Sequence, residues 1–207
     1  MKQPDMAASL WAGVTSDLKA KLDQYGALLQ KWQAKINLVS NTTLAHAETR
    51  HFLDSLQLAA YIPQGTKVLY DIGSGAGFPG LVIAAARPEI AVHLIETDQK
   101  KCVFLQTVSR EIGAPVKVHT VRAEKVVLPP PNVVTARALA DLTDLLRLTE
   151  RWWSASKDVV LVFPKGANAR IEIEAARKIY AFEVEIHTSV TDADASILVL
   201  RHVEKCE

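Results

Sequence analysis

The residues with the clearest chemical meaning lie between Val68 and Gly80, where the apolar run Val68-Leu69-Tyr70-Asp71-Ile72 meets Gly73-Ser74-Gly75-Ala76-Gly77-Phe78-Pro79-Gly80. Glycines after a strand let the backbone turn tightly and come close to a ligand, and the N–H groups opening the next helix lack partners. A nucleoside-type cofactor suits such a loop. Gly75-x-Gly77-x-x-Gly80 taken alone also fits a dinucleotide fingerprint, but Asp71, just before the loop, would repel a pyrophosphate. A ligand with cationic ammonium and sulfonium groups would be attracted, directly or through the hydrogen bonds of the loop. The pattern therefore favours S-adenosylmethionine, with Asp71, Gly73, Ser74, Gly75 and Gly77 as its loop contacts. Glu96 ends the next apolar run, where an acid commonly takes a ribose hydroxyl pair. Ala123 and Glu124 follow the third run and are placed to read an adenine edge.

Elements that alternate must hold these residues in place. Short apolar runs at Val68-Leu69-Tyr70, Ala91 to Ile95, Val116 to Val121, Val133-Val134 and Val159 to Phe163 read as strands. The stretches 78–87, 98–111, 141–153 and 168–180 are long enough for crossover helices, so the strands run parallel with right-handed connections. Pro79 is expected in the first helical turn. Phe182 to His187 and Ile197 to Val203 are separated by too little chain for a crossover and form an antiparallel hairpin. Upstream, Leu18, Leu22, Tyr25, Leu28, Leu29, Trp32 and Ile36 recur at helical spacing. A second helix starts at Thr42 or Thr43 and runs to Pro63-Gln64-Gly65. The fold class is α/β, mostly parallel, with residues 1–65 a helical extension and 66–207 the Rossmann-like core, one structural unit. Glu172, Glu174, Arg177 and Lys178 read as the solvated face of the last helix.

Composition narrows the alternatives. With 207 residues, 49% hydrophobic and 23% charged, the chain can bury a core without disulfides or structural metal. Its two cysteines form no C-x-x-C pair, which suits a reducing compartment. The opening Met1-Lys2-Gln3-Pro4-Asp5 lacks a secretory leader's apolar run, and no stretch suits a membrane span. A cytoplasmic monomer, bound to no membrane, is expected. Lys+Arg 24 against Asp+Glu 23 leaves a net charge of +1, so a nucleic-acid partner would have to be met by a local patch. Lys19, Lys21, Lys31 and Lys35 are its candidates, ahead of Lys100 and Lys101. The six histidines show no metal-ligand spacing, so no catalytic metal is expected. Cys102, between Lys101 and Val103 on a helix, reads as a packing residue.

The run Asp71 to Gly80, preceded by Arg50-His51-Phe52-Leu53-Asp54-Ser55-Leu56 and followed by Ala136-Arg137-Ala138 and Phe163-Pro164-Lys165-Gly166, resembles the glucose-inhibited division protein B family. These are bacterial 16S rRNA guanine-N7 methyltransferases. The resemblance covers nearly the whole chain and implies a class I methyltransferase fold. It also implies S-adenosylmethionine held by Gly73, Phe78, Ala123, Glu124 and Arg137, with Glu96 where the family also uses aspartate. Arg50, His51, Arg137 and Lys165 become candidate substrate contacts, with Asp54 a buttress. The implied partner is 16S rRNA within a small ribosomal subunit or assembly intermediate. Guanine N7 carries a free in-plane lone pair, so its methylation removes no proton and needs no general base or nucleophile. From the residues alone, a small-molecule methyltransferase, a nicotinamide oxidoreductase and a non-catalytic binding protein also remain open.

Overall fold

The computed structural model describes residues 6–44 and 46–206. A short helix α1 (Met6–Ala12) precedes α2 (Ser16–Gln33), whose first turn is capped by Thr15, its hydroxyl accepting from the Leu18 N–H at 3.2 Å. The apolar stripe of α2 buries Leu22, Tyr25 and Leu29, and each fully buried leucine there contributes roughly 2 kcal/mol. The helix ends before Ile36, because the Gln33 amide gathers the turn that follows. Its oxygen accepts from the N–H groups of Leu38 and Val39 at 3.0 and 3.1 Å, and its nitrogen donates to the Val39 carbonyl at 2.7 Å.

The second expected helix is broken into four pieces. They are α3 (Asn41–Leu44), a π-helical turn (Glu48–Leu53), α4 (Asp54–Leu56) and a 3-10 turn (Gln57–Tyr61). Ser40, rather than Thr42 or Thr43, caps the start, accepting from the Thr43 N–H at 3.2 Å. The wider π turn buries His51, Phe52 and Leu53 together while Arg50 stays exposed, a rotation that regular helical spacing would not produce.

Strands β1 (Val68–Ile72), β2 (Ala91–Glu96), β3 (Val116–Thr120), β4 (Val133–Thr135), β5 (Val160–Lys165), β6 (Tyr180–Thr188) and β7 (Ser196–Lys205) form one sheet in the order β3-β2-β1-β4-β5-β7-β6. The first five are parallel, and β7 lies antiparallel to β5 and β6. Helices α5 (Gly80–Ala86), α6 (Gln99–Glu111), α7 (Leu142–Trp153) and α8 (Ala169–Ala176) make the connections expected of them. Two apolar clusters cover the sheet. One joins α2, α5 and α6, with Tyr25, Leu81 and Phe104 fully buried, and the other joins α7 and α8 around Leu146, Trp152 and Phe163. Helix α2 packs directly on α5 and α6, so the N-terminal segment and the sheet share a core. Pro79 takes the N-cap position rather than the first turn, and α5 begins at Gly80. Chain order reverses between β1 and β4, which opens a crevice at the carboxyl ends of the strands.

Candidate functional site

Two adjoining hollows occupy that crevice. The first, about 560 Å³, is lined by Gly73, Ser74, Gly75, Phe78, Glu96, Ala123, Glu124 and Arg137. The second, about 470 Å³, is lined by Arg50, His51, Asp54, Lys165 and Glu172. Arg137 and Ala138 border both.

The glycine loop is held from several sides. The N–H groups of Gly73 and Ser74 donate to the Ile95 carbonyl at 2.9 and 3.2 Å, and the Ser74 hydroxyl donates to the Asp71 carbonyl at 2.8 Å. Glu96, buried at the end of β2, accepts from the Gly75 N–H through Oε2 at 2.8 Å. Its Oε1 accepts from the N–H groups of Thr97 and Asp98 at 2.7 and 2.9 Å. The carboxylate therefore clamps the loop to the next turn while it lines the first hollow.

Neither Asp71, expected to act on the ligand directly or through the loop, nor Gly77, expected as a loop contact, lines either hollow. The Asp71 carboxylate is fully buried, accepting from Thr135 Oγ1 at 2.8 Å and from the Gly80 N–H at 3.2 Å. It ties β1 to β4 and to the start of α5. Burial raises its pKa from 3.8 to about 6, against the lowering by its hydrogen bonds. Gly77 is packed against Tyr25 and Leu81.

Tyr25 reads in the sequence only as one member of a core stripe. Its hydroxyl donates to the Ala76 carbonyl inside the loop, and its ring stacks on Phe78 at 5.2 Å and 7°. Phe78 stacks in turn on His51 at 4.9 Å and 19°, and the Arg137 guanidinium lies 5.0 Å from its centroid. No local motif marks this stack, since its members come from distant segments. Arg137 donates to Asp54 Oδ2 at 3.1 Å, to the Arg50 carbonyl at 3.2 Å and to His51 Nδ1 at 3.2 Å. A guanidinium cannot accept, so His51 Nδ1 is the unprotonated nitrogen, and Nε2 donates to Thr43 Oγ1 at 3.0 Å. Burial first, and then Arg137, lower the His51 pKa to about 4, which keeps the ring neutral. The Arg50 side chain pairs with Asp192, 3.0 Å distant, on the rim of the second hollow.

Lys165 is buried at the end of β5. Its ammonium donates to the Ala140 carbonyl at 2.7 Å and pairs with Glu172 Oε2 at 2.7 Å, which also accepts from the Leu142 N–H at 2.8 Å. Glu172 thus leaves the solvated face expected for it, because the buried ammonium and the first N–H of α7 both require an acceptor. Cys102 is buried, its thiol donating to the Glu96 carbonyl at 3.6 Å. Among the described residues, no group of three or more His, Cys, Asp and Glu could hold a metal ion.

The shifted histidines predict how stability depends on pH. His51 and His93 have pKa values lowered to about 4, chiefly by burial. The unfolded chain therefore takes up protons near its ordinary histidine value of about 6.5 that the fold refuses, and stability falls as pH drops from about 6.5 toward 4. Asp71 acts oppositely, taking its proton at about 6 in the fold and at about 4 when unfolded. Two histidines outweigh one carboxyl, so the thermal midpoint is expected to fall between about pH 7 and about pH 4.5. A midpoint that rises over this range in a buffered melting series would contradict the assignment.

A parallel sheet reversing between β1 and β4, a glycine loop at the reversal, an acid closing β2 and an antiparallel β7 define the class I S-adenosylmethionine-dependent methyltransferase fold. Solved structures agree. The mitomycin 7-O-methyltransferase MmcR superposes with a TM-score of 0.60 at 14% identity over 98% of this chain and 74% of that one. A point mutant of MtNAS in complex with S-adenosylmethionine gives 0.58 at 13% over 91% and 76%. The sequence profile described as rRNA small subunit methyltransferase G matches residues 18–202, and the chain belongs to that family. The ribosomal RNA small subunit methyltransferase G of Rhodospirillum centenum is 47% identical over 92% of this chain and 87% of its own length. That of Ruegeria sp. is 40% identical over 97% and 98%.

Proposed function

We propose that this protein transfers a methyl group from S-adenosylmethionine to N7 of a specific guanosine in the 16S rRNA of the small ribosomal subunit. Family membership supports rRNA methylation. The observation that carries the finer reading is the junction of the two hollows: a nucleoside-sized cleft opens at Arg137 and Ala138 onto a second one lined by hydrogen-bonding groups.

The first hollow suits S-adenosylmethionine. It offers the backbone of Gly73, Ser74 and Gly75, the Glu96 carboxylate for a ribose, Phe78 as an apolar wall, and Ala123-Glu124 for the adenine edge. When bound, the cofactor supplies a methyl group made electrophilic by its sulfonium. The second hollow holds the base, with Arg137 and the neutral His51 at the wall between the two and with Arg50 and Lys165 on the substrate side. The lone pair of N7 forms the new bond, and no proton leaves the base at any point. No side chain is needed as general base, and the protein's task is to hold the reacting atoms about 3–3.5 Å apart and in line.

With a net charge of +1, electrostatic attraction to bare RNA is weak, and recognition rests on the shape of a partly or fully assembled small subunit. The protein acts as a cytoplasmic monomer. No helix among the described residues is long and apolar enough to cross a membrane.

Transfer of labelled methyl to small subunits from cells lacking this protein, mapped by strand scission at N7-methylguanosine, tests the reading. One labelled guanosine is the expected result. Label on no RNA, with cofactor binding intact, would overturn it in favour of a small-molecule acceptor.

A further inference from the structure

In the second hollow Lys165 and Glu172 are fastened side by side, a hydrogen-bond donor next to an acceptor. Their side chains are 7% and 22% exposed and their charged atoms stand 2.7 Å apart. Glu172 Oε2 is fully engaged by the ammonium and by the Leu142 N–H, whereas Oε1 makes no hydrogen bond to the described residues. The pair is fixed through the Ala140 carbonyl and the start of α7, so it can hold its direction toward a ligand in the hollow.

We infer that Lys165 and Glu172 form the base-specificity reader of this site, Lys165 donating to guanine O6 and Glu172 Oε1 accepting from N1–H and the N2 amino group. The inference rests on the reading of the second hollow as the base site. A base whose N7 faces the shared wall at Arg137 and Ala138 presents O6 next, then N1–H and N2–H₂, an acceptor followed by donors. That order complements an ammonium followed by a carboxylate. Adenine presents the reverse, an amino donor and then the N1 acceptor, and would set donor against donor and acceptor against acceptor. A buried polar group left without a partner is costly, so the mismatch excludes adenine more strongly than the match favours guanine. Hypoxanthine, which lacks only the amino group, falls between them.

GMP, IMP and AMP, used as inhibitors of labelled methyl transfer to small subunits, read this order directly. For the wild-type protein GMP is expected to inhibit roughly tenfold more strongly than IMP, and AMP least. In Glu172→Gln the gap between GMP and IMP should close to about twofold or less, with S-adenosylmethionine affinity unchanged. A pair that merely fastened β5 to α8 would lower stability in the variant and leave the GMP to IMP ratio where it was. Lys165→Met, which retains the carboxylate, should narrow the gap between IMP and AMP instead, and it supplies the test if Glu172→Gln does not fold. Equal inhibition by all three nucleotides, or none, while the wild-type label still maps to N7 of a guanosine, overturns this inference alone. Absence of label at guanine N7 overturns the underlying reading of the site.

Discussion

Alanine at Gly77 is expected to remove most of the methyl-transfer activity and to lower the thermal midpoint by roughly 4–20 °C. Gly77 has φ +93°, and a Cβ there would stand 2.5 Å from the Tyr25 hydroxyl and 2.6 Å from Leu81 Cδ1. Both neighbours are fully buried, so neither has space to retreat. Overpacking costs about 1–3 kcal/mol and the left-handed backbone about 1–2 more. At about 2–4 °C per kcal/mol for a chain of this size, the sum lies in that range. Activity falls because the displaced tyrosine is the group that binds the Ala76 carbonyl and backs Phe78. Gly75→Ala is the matched comparison. It too has a positive φ, +54°, but its Cβ would meet nothing nearer than the Gly73 carbonyl at 3.8 Å, so only about 1–2 kcal/mol of backbone strain is expected. Differential scanning calorimetry of the two variants decides the matter. Equal midpoints would mean that the loop is not braced by α2.

Arg137→Ala is expected to lower kcat/KM for methyl transfer by about 10²–10³-fold, since displacement of a positioning group by even an ångström is costly. Its guanidinium unites Asp54, the Arg50 carbonyl, His51 and the face of Phe78 at the wall between the hollows. Stability should fall far less, by about 1–3 kcal/mol. Asp54, the acceptor left behind, keeps its bonds from Gln57 Nε2 and Thr191 Oγ1, both at 2.9 Å. Lysine cannot copy the planar fork that reaches several acceptors at once. Arg137→Lys is therefore expected to recover less than about a tenth of the lost activity, measured as kcat/KM with small subunits below saturation. Near-complete recovery would reduce Arg137 to a simple charge.

The sequence states the alternation of strand and crossover helix openly, because apolar runs bounded by turn residues depend on local spacing alone. The loop from Gly73 to Gly80, the acid at Glu96 and the final hairpin are legible for the same reason. The π turn at Glu48–Leu53 is not, since no residue type in Glu48–Leu53 marks the wider turn. Glu172 misleads in the same way. Its neighbours describe a solvated helix face, and the buried ammonium that draws it inward lies on another element.

By itself, then, the sequence determined the fold class, the glycine loop and the family likeness, all of which are carried by short motifs whose own residues are close together along the chain. Tertiary structure alone decided that Asp71 is buried and ties β1 to β4 and α5, that Tyr25 reaches into the loop from the N-terminal helix, and that Arg137 divides two hollows. Each of these depends on which groups meet across long stretches of chain. A carboxylate or guanidinium takes its role from the partners that packing supplies once water has been excluded, and those partners have no fixed offset in the sequence.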